Sequence, residues 1–212
     1  MTAHRKIIEP SIEPVTLAEA KTHLRIEHTA DDTYIEGLIQ AAREYVEQET
    51  NRVLITQTWE YYLDDLGVNQ NTEWWDGTRE LATTVLQKRC IELPLGPVQS
   101  ITSVKTFDEE DNETVFDSSK YFLDVASLPA RLALRRNQNW DTFTRETNGF
   151  QVTYVAGYGD NASDVLRALR HAILILVATW YENREVTTEN GLTGMVPEGV
   201  SPILEKYKVW TL

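Results

Sequence analysis

Between Asp164 and Arg184 runs the most apolar helix-like stretch of the chain, and its centre, Ala172-Ile-Leu-Ile-Leu-Val-Ala-Thr-Trp-Tyr181, is apolar almost all round. A helix on the surface of a small domain normally keeps a polar face. One that lacks it needs cover on several sides, from the centre of its own domain or from a neighbouring subunit. A membrane does not supply that cover, because Ala172–Trp180 is far shorter than the roughly 18 residues of a spanning helix. The chain is therefore expected to fold around this helix, and an oligomer is one way to finish its burial.

The rest of the chain is read from its hydrophobic period. Residues 1–15 are polar, contain Pro10 and Pro14, and suggest an extended arm. Thr16-x-x-Glu19 has the spacing of a capping box and opens a short helix over Leu17–Arg25. A second helix is expected from Asp31 to Thr50, with Asp31 and Asp32 at its positive end. Ile35, Leu38, Ile39, Ala42, Tyr45 and Val46 form its apolar stripe, and Glu36, Gln40, Arg43, Glu44 and Glu47 lie mostly opposite. After Asn51 the period changes to two. Strands are expected at Ile55–Leu63, Lys88–Leu93, Val98–Phe107, Thr114–Phe116, Tyr121–Val125, Arg131–Leu134 and Phe150–Ala156, with Asp108–Asp111 as a hairpin tip. Residues 66–84 are a long excursion of the kind usually tied to function or to a partner. A short helix near Ser201–Tyr207 ends the chain.

Helices at both ends with strands between them make an α+β protein. The expected architecture is a helical bundle of two N-terminal helices and the long C-terminal helix, with an inserted antiparallel β-region. The bounds are 1–53 for the arm and helices, 54–156 for the β-region with its loop at 66–84, and 157–212 for the long helix and tail.

The 212 residues carry a formal charge of −13, which opposes general binding to a phosphate backbone. Arg131, Arg135 and Arg136 are the densest basic group. The single cysteine, Cys90, rules out an internal disulfide and a multi-cysteine zinc site, and a buried structural thiol is the simpler reading of it. Met1-Thr-Ala-His-Arg-Lys6 has no apolar h-region behind it, so no secretory signal, and a soluble intracellular protein, are expected.

Reactive constellations are sparse. Gly157-x-Gly159-x-x-Ala162 follows a strand and precedes a helix, as a dinucleotide loop does. A dinucleotide fold also needs a following parallel strand with an acidic residue near its end, about 20 positions on, and the sequence after Arg184 offers no buried strand to carry one. The simpler reading is a turn, with Ser163 capping the helix. The pairs Asp31-Asp32 and Asp64-Asp65 and the group Glu109–Asp111 could hold a divalent metal, but each has an ordinary place at a helix start, strand end or hairpin tip. His4, His23, His28 and His171 make no metal-binding pair. No catalytic, cofactor or metal residue is assigned, and no enzyme is expected.

The aromatic residues say more. Trp59, Trp140 and Trp180 suit cores, whereas Trp74-Trp75 sit in a polar loop and Trp210 is two residues from the end. Exposed aromatics at loops and tails favour protein partners.

In order along the chain, Val15-Thr-Leu-Ala-Glu-Ala-Lys-Thr-His-Leu-Arg25, Asp31–Glu47, Leu54-Ile-Thr-Gln-Thr-Trp59, Ile91-Glu-Leu-Pro-Leu-Gly-Pro-Val98 with Ser100-Ile-Thr, Val152-Thr-Tyr-Val-Ala-Gly-Tyr-Gly159, Ala178-Thr-Trp-Tyr-Glu-Asn-Arg-Glu185 and Pro197-Glu-Gly-Val200 resemble the head–tail connector (adaptor) proteins of long-tailed bacteriophages, prophages and phage-like gene transfer agents. The resemblance implies a structural virion protein of the neck, assembled in the host cytoplasm. It implies a ring of copies, typically twelve, docked under the portal protein, with a lumen that passes DNA without specific binding and a surface for the next neck or tail-completion protein. It places partner contacts at Tyr207, Trp210 and Leu212, and Trp74 and Trp75 join them as exposed aromatics. Packing between copies is expected at Tyr45, Ile173, Leu176 and Trp180. Two other readings compete: a metal- or nucleotide-dependent phage-encoded enzyme, and an acidic interaction protein that mimics DNA.

Overall fold

The computed structural model describes residues 2–64, 89–140, 145–183 and 196–210. The chain divides into two compact units, each built from separated segments. A β unit takes Met1–Glu9 and Gln57–Ala156, and a helical unit takes Pro10–Thr56 and Gly157–Trp210.

The β unit contains β1 (Thr2–Ile8), β2 (Gln57–Leu63), β3 (Cys90–Leu93), β4 (Val98–Phe107), β5 (Glu113–Val115), β6 (Tyr121–Asp124), β7 (Ala130–Leu134) and β8 (Phe150–Ala156). All pairings are antiparallel. One sheet has the order β1-β2-β8-β4-β5 and the other β3-β7-β6. Successive side chains of a strand point to opposite faces, and in β8 this buries Phe150, Val152, Tyr154 and Ala156 on one of them. Tyr154 stands opposite Trp59 on β2 and Ile101 on β4. Trp140 is buried against Phe116 and Phe150, its ring centre 5.1 Å from each. The arm expected at 1–15 is in part a strand: Thr2–Ile8 pairs with β2 along its length.

The helical unit contains α1 (Leu17–Leu24), α2 (Asp32–Thr50), α3 (Arg167–Glu182) and α4 (Ser201–Tyr207). The capping box at α1 forms as the spacing predicts: the Glu19 N–H donates to Thr16 Oγ1 at 3.2 Å, and the Thr16 N–H donates to Glu19 Oε2 at 2.9 Å. Those bonds, with Arg170, hold the Glu19 carboxyl below its usual range. Ile35, Ile39 and Val46 of α2 and Leu169, Ile173, Leu176 and Val177 of α3 are buried in one core with Leu54, Val200 and Leu204.

The long helix starts three residues later than expected. Asp164 turns back to accept from the Asn161 N–H at 3.1 Å, which closes a separate 3-10 turn over Ala162–Asp164. Val165 is extended, α3 begins at Arg167, and Ser163 caps nothing there. Gly157 adopts φ +138, and a Cβ on it would lie 2.6 Å from the Thr56 nitrogen. Tyr158 N–H donates to the Leu54 carbonyl, and Thr56 N–H to the Gly159 carbonyl. The two glycines thus lay the chain against segment 54–56, which accounts for them without a ligand.

Candidate functional site

Three arginines tie the helical unit together. Arg43, in the middle of α2, is 1% exposed. Its Nε donates to Glu13 at 2.8 Å and its Nη1 to Glu47 at 3.0 Å, and the other Glu47 oxygen accepts the Leu54 N–H at 2.8 Å. Burial pulls the Arg43 pKa down, but Glu47 and Glu13 outweigh it and hold the group above its ordinary value. Arg170 donates to the Pro14 carbonyl at 2.8 Å and to Glu19 at 2.6 Å. Arg52 donates to the Tyr207 carbonyl and, at 2.9 Å, to the Tyr158 hydroxyl. The helical wheel of α2 groups Arg43 and Glu47 with the solvent side, and the structure buries both; they staple the incoming and outgoing chain.

The end of α2 builds a second feature. Asn51 adopts φ 52, a left-handed conformation that Asn tolerates and that often ends a helix. Its Nδ2 donates to the Val209 carbonyl at 2.9 Å, and the Val209 N–H donates to the Thr50 carbonyl at 2.9 Å. Val209 is 3% exposed and Trp210, the next residue, is 74% exposed. Lys208 reaches Glu49 at 3.8 Å and lies over the Trp210 ring at 5.5 Å. The chain end is therefore pinned by its backbone at Val209 and offers an indole outward. No sequence pattern announces this clamp, although Asn directly after a helical run is a recognisable end signal.

The other expected contact residues divide. Tyr207 lies in α4 and uses its carbonyl for Arg52. Trp74, Trp75 and Leu212 lie outside the described residues. Tyr45 and Trp180 are half-buried, their rings edge to face at 6.1 Å, and burial raises the Tyr45 pKa. Ile173 and Leu176 are 0% exposed. They fill the helical unit's own core and have no surface left for a neighbour, which corrects the expectation for those two. α3 does bury one broad side at home, and Leu174, Ile175 and Trp180 keep part of their surface.

Among the described residues no group of three or more His, Cys, Asp or Glu side chains is placed to hold a metal ion. None of their helices is long and apolar enough to cross a membrane. The features the described residues build are a segment anchored at Val209 and partly exposed aromatic faces. Residues 14–115 match the family of phage gp6-like head-tail connector proteins, so the resemblance to head–tail connectors is shown on that span. No curated protein matches the chain.

The fold extends the likeness to the whole chain. It superposes on a chain of the native gene transfer agent virion with a TM-score of 0.73 and 19% identity, over 99% of this chain and 96% of that one. A chain from the neck of the empty gene transfer agent particle, computed with C6 symmetry, gives 0.72 and 21%, over 99% and 97%. A chain from the native particle's neck, computed with C12 symmetry, gives 0.66 and 21%, over 100% and 97%. The family and these neighbours are structural parts of virions.

Proposed function

We propose that this chain is a subunit of a head-to-tail connector ring in the neck of a phage-like particle. It docks under the portal protein, continues the DNA channel and gives the next neck or tail-completion protein a surface to attach to. One observation carries the reading: the connector match at 14–115 falls inside a chain whose whole length follows the fold of gene transfer agent neck subunits. The sixfold and twelvefold symmetry of those necks supports a closed ring, most simply of twelve copies.

The helices act as a bundle in this reading, and the ring contacts are heterologous, so each copy offers two different faces. Tyr45 and Trp180 remain candidates for one of them. Trp210, pinned through Val209, is the proposed anchor on the portal, because a large rigid indole supplies contact area at low entropic cost. Trp74, Trp75, Tyr207 and Leu212 stay with it as partner contacts. The charge of −13 suits a lumen through which DNA slides without being held. Assembly takes place in the host cytoplasm, and no enzymatic step is assigned.

The test is electron microscopy of the purified protein mixed with its cognate portal. Rings or portal particles with an added layer are expected. Their persistent absence across protein concentrations overturns the reading.

A further inference from the structure

Of the sequence's basic group, Arg131 leaves and two other cations join. Arg131 pairs with Asp124 at 2.7 Å at one end of β7. At the opposite end three segments of the small sheet come side by side. The Leu134 N–H donates to the Arg89 carbonyl, the Arg135 N–H to the Lys120 carbonyl, and an Arg89 Nη to the Arg135 carbonyl at 3.1 Å. Arg89, Lys120, Arg135 and Arg136 therefore share one sheet end. The three arginines are exposed, and none of the four makes an ion pair among the described residues. Asp117 lies near enough to feel the charge of Lys120 but spends its hydrogen bonds on Ser119. Elsewhere in the β unit the cations Arg5, Lys6, Lys105, Arg131 and Arg145 all have carboxylate partners.

The same unit carries the opposite charge on its other sheet, at the β4–β5 hairpin. There Asp108 is used up by the turn, accepting from Glu110 and Asn112 N–H groups, Asp111 is paired with Arg145, and Glu113 with Lys105. Glu109 and Glu110 are exposed and have no ion pair among the described residues.

We infer that the cationic sheet end of one copy seats on the Glu109–Glu110 hairpin tip of a neighbouring copy. This rests on the ring reading above and names a contact within it. A heterologous ring contact requires two different, mutually complementary patches on one subunit, and the β unit holds such a pair, neither half making an ion pair among the described residues. Arg suits the task, since its planar fork takes carboxylates two bonds at a time. Duplex DNA is the other polyanion that could reach the arginines, but the net charge of −13 repels it at long range, whereas a second copy brings the matching carboxylates with it.

The experiment is a charge swap in the full chain, read by electron microscopy of rings on the cognate portal. Arg135→Glu with Arg136→Glu, and separately Glu109→Lys with Glu110→Lys, are each expected to reduce rings at least tenfold while the melting temperature stays within a few degrees. All four changes in one chain restore opposite charges across the contact and should recover rings. Normal rings from either pair alone overturn the contact and leave the neck reading standing. Loss without recovery in the four-fold variant also overturns it. So does a duplex of 30 base pairs bound by the wild type and lost by Arg135→Glu with Arg136→Glu in fluorescence anisotropy, because the partner is then DNA. If the wild type itself builds no ring on the portal, it is the neck reading that fails.

Discussion

The backbone N–H of Val209 donates to the carbonyl of Thr50 across 2.9 Å, joining the chain end to the last turn of α2. The bond separates two jobs that adjoin in sequence. Val209 is packed, and Trp210 is displayed. Trp210→Ala should leave the melting temperature within about a degree and weaken portal binding at least tenfold, measured by co-sedimentation with the portal. Val209→Ala removes two buried carbon groups and should cost about 1.5 kcal/mol of stability in urea denaturation. If Trp210→Ala binds the portal normally, the displayed indole is not the anchor.

Arg43 offers a test of the helical unit's polar staple. Arg43→Ala strands the buried Glu47 carboxylate, and breaking such a pair costs roughly 3 kcal/mol or more. Glu44 lies 3.5 Å from the same guanidinium but is half exposed, so Glu44→Ala should change stability by less than about 0.5 kcal/mol. Equal losses in the two variants, by urea denaturation, would show that burial is not what sets the energy.

Two glycines should respond with opposite sign. Gly157→Ala forces a side chain into φ +138 and onto the Thr56 backbone, so a loss of several kcal/mol is expected from strain and displaced chain together. Gly37 sits in α2 with nothing within 4 Å of the site of a Cβ. Gly37→Ala should stabilise by about 0.5–1 kcal/mol through helix propensity. Thermal melts of the two variants check both signs.

Asp124 sets an acid limit on the small sheet. Hydrogen bonds from the Arg131 guanidinium, then from the Ser127 hydroxyl, push its pKa down from an ordinary 3.8 to about 2. A carboxyl lowered on folding stabilises above the unfolded pKa and loses that contribution as pH falls from about 4 towards 2. Asp124→Asn should therefore melt earlier than the wild type at pH 7 and lose less between pH 4 and 2. Parallel melting curves for the two proteins across that window would exclude the assignment.

Local chemistry was readable in the sequence wherever neighbours along the chain decide the outcome. Thr16 and Glu19 are three residues apart and form the expected box, and β4 and α4 occupy Val98–Phe107 and Ser201–Tyr207 as their periods predict. What stayed hidden depends on partners far away. Thr2–Ile8 carries too many polar residues and lies too near a proline to announce a strand, and its pairing partner is β2, some fifty residues later. Arg43 looks solvated until Glu13 and Glu47 close around it. The clamp at Val209 joins residues more than 150 positions apart. The helix that dominated the sequence reading is buried against α2 at home, and this withdraws Ile173 and Leu176 from any contact between copies.

The division of the helical unit between Pro10–Thr56 and Gly157–Trp210 also sets a timetable for synthesis. Ile35 and Ile39 leave the ribosome about 140 residues before Ile173 and Leu176, which share their core. At roughly 5–20 residues per second the α2 stripe waits on the order of ten seconds for its cover. A nascent chain in that interval is open to chaperones and to misassociation with other nascent chains. The helical unit is finished only after the segment from Gly157 onward has been made.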